Sequence, residues 1–179
     1  MSQATSTRKI RVATCSLAGC FGCHMSLLDM DETLASLVEH IEFRRSPLTD
    51  IKAHEPCDIG LIEGGLCNTE NAETLHEFRK HCRIQVAVGA CAINGGVPAM
   101  RNALNVRQCL EESYLSGVGV VCPQIPDDPE LPRLLEKVMP LHQAVQIDYF
   151  LAGCPPPAAA FVELITAILE QREPHFAPP

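Results

Sequence analysis

Apolar and polar positions along the chain follow two periods in turn. Ile10-Arg11-Val12-Ala13-Thr14 alternates and β-branches as a strand does. From Met25 to His40 the spacing lengthens to that of a helix. Leu27, Met30 or Asp31, Leu34, Leu37 and Val38 share one face there, and Asp29, Asp31, Glu32 and Glu39 take the wet side. Core packing is the expected use of that stripe. Further strands are predicted over 41–44, 58–65, 83–90 and 144–152, and further helices over 71–82, 106–115, 131–139 and 158–171. Pro47, Gly64-Gly65, Gly95-Gly96 and the prolines between Pro123 and Pro132 punctuate the connections.

Strands alternating with helices predict an α/β, doubly wound parallel sheet of flavodoxin-like type, built as a single domain over 10–172. Residues 1–9 are expected to be a flexible leader, and 173–179 a proline-rich tail. No internal repeat or low-complexity segment interrupts this pattern. In such sheets ligands sit beyond the carboxyl ends of the strands. Three of the predicted strand ends carry cysteine among small residues.

Composition narrows the partners. The chain has 179 residues, a formal net charge of −8 and 4% aromatics with no Trp, which argues against a nucleic-acid partner. The N-terminal stretch is polar, and no apolar run approaches a membrane span, so a cytoplasmic location with reduced thiols is expected. Ten cysteines is a high count for this length, and several metal ligands among them are the expected explanation.

The candidate ligands are Cys20 and Cys23 after the first strand, Cys91 after the fourth and Cys154 after the last. Their neighbours are small: Gly19-Cys20, Gly22-Cys23, Gly89-Ala90-Cys91 and Gly153-Cys154-Pro155. Small neighbours let backbone N–H groups approach a bulky cluster and hydrogen-bond to its sulfides. A thiolate tetrad also suits a structural zinc ion, and ligand type alone does not separate the two. Structural zinc more often uses two local pairs; here only one pair is local, which favours a cluster. A zinc-stabilised α/β binding module without a redox role stays open as the alternative.

Other candidates are weaker. Glu63, at a strand end, is expected to bond nearby loop N–H groups, with proton movement or an influence on the metal site as the sharper role. His24 is either a solvated loop histidine or a hydrogen-bond donor to the site, and Cys15 is expected to be a buried thiol. Cys57, Cys67, Cys82, Cys109 and Cys122 show no convergent spacing and are expected to be core or loop thiols. The seven histidines lack HxxH or HExxH spacing, and no nucleophile elbow is present, so no residue of this chain is expected to be catalytic.

The runs Gly19-Cys20-Phe21-Gly22-Cys23-His24, Glu63-Gly64, Gly89-Ala90-Cys91-Ala92 and Gly153-Cys154-Pro155-Pro156 together resemble the successive motifs of [NiFe]-hydrogenase small subunits. Val12-Ala13-Thr14 through Leu28-Asp29-Met30-Asp31 is most similar to the small subunit of soluble NAD-reducing hydrogenases. The resemblance runs from about Ile10 to Arg172. It implies one [4Fe–4S] cluster on Cys20, Cys23, Cys91 and Cys154, beside a Ni–Fe centre carried by a separate large subunit. Electrons would pass between that centre and an NAD-reducing diaphorase module of iron–sulfur and flavin subunits. FMN and NAD sites are expected on those partners, because the cysteine loop occupies the place of a flavodoxin phosphate loop. A soluble [NiFe] hydrogenase with another acceptor is the related alternative. The complex I relative has adjacent cysteines in the first motif, whereas Cys20 and Cys23 are two residues apart. Membrane-bound and periplasmic members carry a twin-arginine leader and a C-terminal extension, and neither is expected here.

Overall fold

A computed structural model describes residues 8–51 and 55–176. Seven strands and six α-helices follow in the order β1 Ile10–Ser16, α1 Gly22–Leu28, α2 Glu32–Leu37, β2 Ile41–Phe43, β3 Cys57–Glu63, β4 Leu66–Asn68, α3 Thr69–His81, β5 Cys82–Val88, α4 Gly89–Asn94, α5 Val106–Tyr114, β6 Leu134–Met139, β7 Tyr149–Leu151 and α6 Ala158–Leu169. Short 3₁₀ turns occupy Val97–Ala103 and Leu141–Gln143.

Five strands pair in parallel in the order β2-β1-β3-β5-β7. β1, β3 and β5 are apolar on both sides because helices cover both faces of the sheet. One core lies under α1, α2 and α6 and includes Val12, Leu27, Met30, Ile59, Leu61, Val86, Phe161 and Leu164. The other includes Ala13, Ile62, Leu66, Leu75, Phe78, Ala87 and Leu141. This is the expected flavodoxin-like sheet. The chain reverses its winding direction between β1 and β3, where ligands of such folds collect.

Several expected elements are corrected. The helix predicted over 25–40 is two short helices, α1 and α2, broken at Asp31, whose φ is 48°. A positive φ at that position is incompatible with continuing the right-handed helix. Leu27, Met30 and Leu37 still reach one core, with Leu34 packed against it, whereas Val38 of the expected face is exposed.

The helix predicted over 131–139 is instead β6, antiparallel to β4, a strand that the hydrophobic pattern does not announce. Its backbone is claimed by distant side chains. Arg101 donates to the Leu135 carbonyl at 2.7 Å, and Asn102 exchanges both bonds with Val138 at 2.7 and 2.8 Å. Tertiary partners override local propensity here. The last strand shrinks from 144–152 to Tyr149–Leu151.

Residues 1–7 of the expected leader, residues 52–54 and residues 177–179 of the expected tail lie outside the described residues. Arg8 is tied to Asp58 at 2.8 Å and Lys9 to the Val38 carbonyl at 2.6 Å. Among the described residues no helix is long and apolar enough to cross a membrane.

Candidate metal centre

Four of the five strands, β1, β3, β5 and β7, each deliver one piece of the site at the carboxyl end of the sheet. After β1 the chain is pinned to the β3 turn by paired bonds, Gly65 N–H to the Ala18 carbonyl at 2.8 Å and Ala18 N–H to Gly65 at 3.1 Å. Gly64 sits there with φ 84°, and a Cβ on it would lie 2.7 Å from the Leu17 carbonyl carbon. After β5, Gly89 turns the chain into α4 with φ 81°, and a Cβ there would run into Cys23 Sγ. Only glycine serves at these two positions. After β7, Gly153 accepts the Ala90 N–H at 2.8 Å, and Ser26 of α1 bonds the Pro156 carbonyl at 2.5 Å. The loops are therefore tied to one another and do not hang free.

Cys20, Cys23, Cys91 and Cys154 line one cavity of about 80 Å³, walled by Gly19, Gly22, Glu63, Gly64, Ala90, Gly153 and Pro155. Cys23 and Cys91 do not lie in strand-end loops as expected. They stand near the starts of α1 and α4, helices that begin immediately after those loops. Burial raises the Cys23 thiol to about 12, reinforced by the charge and hydrogen bond of Glu63 and the neighbouring Cys91 and Cys20. Burial likewise raises Cys91, against the lowering effect of the Val97 N–H and with the added push of Cys154, Cys20 and Glu63. These couplings mark the thiols as electrostatic neighbours. Bare thiols so placed resist ionisation, whereas a bound cation supplies the missing positive charge.

Among the described residues no three His, Cys, Asp or Glu side chains gather closely enough to hold a single metal ion. Zinc needs its sulfurs drawn in to about 2.3 Å from one atom. Four thiols around one glycine-walled cavity are a donor set that suits either a structural zinc ion or an iron–sulfur cluster.

Behind the cavity lies a polar chain. Glu63, 3% exposed, accepts the Cys23 N–H at 2.9 Å, as expected of a carboxylate facing loop donors. Its other oxygen lies 2.9 Å from His24 Nδ1, and without that approach the buried Oε1 has no hydrogen-bond partner. Burial opposes ionisation of Glu63, but the hydrogen bonds of His24, Ser16 and Cys23 outweigh it and hold the carboxyl below its usual range.

His24 corrects both of its expected roles. It is neither solvated nor aimed at the cavity: it is 4% exposed, with Nε2 at 2.9 Å from Thr14 Oγ1. Its partners come from two distant strands, β1 and β3, which local sequence does not reveal. Cys15 is buried in the core of the opposite face, its thiol raised to about 11 by burial. Cys57 and Cys82, expected to be separate thiols, face each other across β3 and β5 and are joined as a disulfide, with Cα atoms 4.6 Å apart. Cys67, Cys109 and Cys122 are free and away from the cavity.

The family described as "NADH ubiquinone oxidoreductase, 20 Kd subunit" matches residues 20–168. The delta subunit of the NAD-reducing hydrogenase HoxS of Cupriavidus necator is 46% identical over 168 residues, covering 92% of this chain and 80% of that protein. One of the subunits of the F420-non-reducing vhu hydrogenase of Methanococcus voltae is 35% identical over 93% of this chain, which spans only 58% of that protein's length. A chain in the crystal structure of an NAD+-reducing [NiFe]-hydrogenase in the H2-reduced state superposes with a TM-score of 0.93 at 54% identity, covering 96% of this chain and 97% of that one. A chain of the [NiFeSe] hydrogenase of Desulfovibrio vulgaris Hildenborough shares the fold, with a TM-score of 0.60 at 16% identity. The family takes its name from the relative that the Cys20–Cys23 spacing sets apart, while these similar proteins are hydrogenase subunits. On the extent of the match, the chain belongs to the NADH ubiquinone oxidoreductase 20 Kd subunit family.

Proposed function

We propose that this chain is the electron-transfer small subunit of an NAD-reducing [NiFe] hydrogenase, with Cys20, Cys23, Cys91 and Cys154 as ligands of one [4Fe–4S] cluster. The observation that carries the reading is the convergence of these four cysteines on one glycine-walled cavity. When bound, such a cluster supplies a one-electron redox couple. The chain's residues do the rest. The thiols provide the ligand set, and the paired loops fix the dimensions of the cavity.

The surroundings favour a docked complex. Val97, whose N–H bonds Cys91, and Met100 in the same 3₁₀ turn are 70% and 74% exposed and form an apolar rim beside that cysteine that suits a partner subunit. The large subunit with the Ni–Fe centre is the proposed occupant of that rim. The proposed setting is cytoplasmic, with FMN and NAD held by iron–sulfur and flavin partners. The similarity to an NAD-reducing relative supports NAD over another acceptor.

The test is anaerobic purification of the native complex, followed by iron and sulfide analysis and EPR of the reduced protein. We expect roughly four irons per chain from this centre and a reduced-cluster signal. Cys91→Ala is expected to lose or convert that signal and abolish hydrogen-dependent NAD⁺ reduction. One zinc per chain with no signal, or full activity in the variant, overturns the reading.

A further inference from the structure

The polar chain behind the cavity continues beyond His24. Thr14 Oγ1 lies 2.7 Å from Ser46 Oγ, and Ser46 Oγ in turn accepts the Leu48 N–H at 3.1 Å. The links come from four places: Ser46 after β2, Thr14 on β1, His24 on α1 and Glu63 at the end of β3. Ser46 and Thr14 are each 1% exposed, so water offers neither hydroxyl a substitute partner. Phe21 stacks on the imidazole with centroids 4.6 Å apart and planes 3° from parallel, which holds the ring plane.

One order of donors and acceptors runs through all four side chains. Ser46 donates to Thr14, Thr14 donates to His24 Nε2, and His24 Nδ1–H donates to Glu63 Oε1. Glu63 Oε2 then receives the Cys23 N–H. Each hydroxyl is used once as donor and once as acceptor, and the tautomer of His24 follows from the order.

We infer that His24, Thr14 and Ser46 are positioning residues of the metal centre, holding Glu63 on the Cys23 N–H. This rests on the cysteine cavity holding an iron–sulfur cluster. The amide of a ligand cysteine is a natural donor to a cluster sulfide, and such donors raise the reduction potential. Here Glu63 diverts that donor, and the hydroxyl chain keeps Glu63 in place. The device keeps the potential lower than the bare loop would set it.

The experiment compares Thr14→Val, Thr14→Ser and Ser46→Ala in the native complex. It uses iron counts and EPR-monitored redox titration of the centre. Thr14→Val and Ser46→Ala are expected to keep their iron and to show an upward shift of midpoint potential with an altered EPR line shape. Thr14→Ser, which restores the hydroxyl alone, is expected to return both to the wild-type values. Should Thr14→Val fail to assemble, Ser46→Ala is the smaller truncation and carries the same decision. Wild-type midpoint and line shape in both hydroxyl-free variants overturn this inference and leave the cluster reading standing. Absence of iron from the wild-type complex overturns both.

Discussion

The two ends of the five-stranded sheet place their carboxylates in opposite surroundings. Where the strands begin, Asp58 meets Arg8 at 2.8 Å and Arg11 at 3.5 Å, and Asp148 meets Arg79 at 2.7 Å, all partly open to water. Where the strands finish, Glu63 is enclosed, with the His24 ring nitrogen Nδ1 2.9 Å from its Oε1. Burial raises both Asp58 and Glu63, and both are nevertheless held below the ordinary carboxylate range. At Asp58 the Arg11 N–H and the Arg8 guanidinium overcome burial, and at Glu63 the His24 ring and Ser16 do. A carboxylate among half-exposed arginines can exchange a lost partner for water. Glu63 cannot. The lesson is that the starting end holds charge loosely, whereas the finishing end holds one specific geometry.

The sharpest way to break this comparison is Glu63→Leu. It leaves the His24 ring and the Cys23 N–H buried without an acceptor. Removing one member of a buried pair costs about 3 kcal/mol. Urea unfolding of the purified protein is expected to show that loss as a lower midpoint at unchanged m-value. A loss under about 1 kcal/mol would mean that the polar chain is not a closed unit.

Next in size is Asp58→Asn, which removes a charge from half-exposed arginines while keeping an acceptor for the Arg11 N–H, 2.9 Å away. Exposed ion pairs contribute about 0.2–1 kcal/mol, so a loss of about 1 kcal/mol or less is expected in the same urea assay. The loss should shrink further in high salt. If Asp58→Asn matches Glu63→Leu, enclosure is not what separates the two ends.

Much of the finishing end is legible in the sequence. Glycine beside cysteine at successive strand ends marks where the backbone must pass close to something, and the parallel α/β pattern says those ends share one edge. Legibility stops wherever a residue's role is fixed by partners far along the chain. β6 is a strand because Arg101 and Asn102, more than thirty positions earlier, hold its backbone. His24 reads as a loop residue until Thr14, Ser46 and Glu63 enclose it. Cys57 and Cys82 meet only through the register of β3 on β5. The break at Asp31 was hidden for a different reason: two short helices and one long helix both bring Leu27, Met30 and Leu37 to one core.

The smallest expected effect comes from Glu163, which sharpens the comparison at its exposed limit. Its carboxyl bonds the Arg172 guanidinium at 2.6 and 2.9 Å and the His175 N–H at 2.6 Å. Those bonds, Arg172 first, hold it at about 2. A carboxyl depressed in the folded state adds stability that is fully present above the unfolded value of about 4.3. That contribution is lost as pH falls through the folded value near 2. Solvent and salt screen a pair this exposed, so the shift does not translate into a comparable stabilisation. The difference in urea midpoint between wild type and Glu163→Gln is therefore expected to be the least of the three. It should be flat with pH above about 5 and close progressively below that. A difference as large as that of Glu63→Leu would show that hydrogen-bond count, not enclosure, governs how strongly this fold depends on a carboxylate.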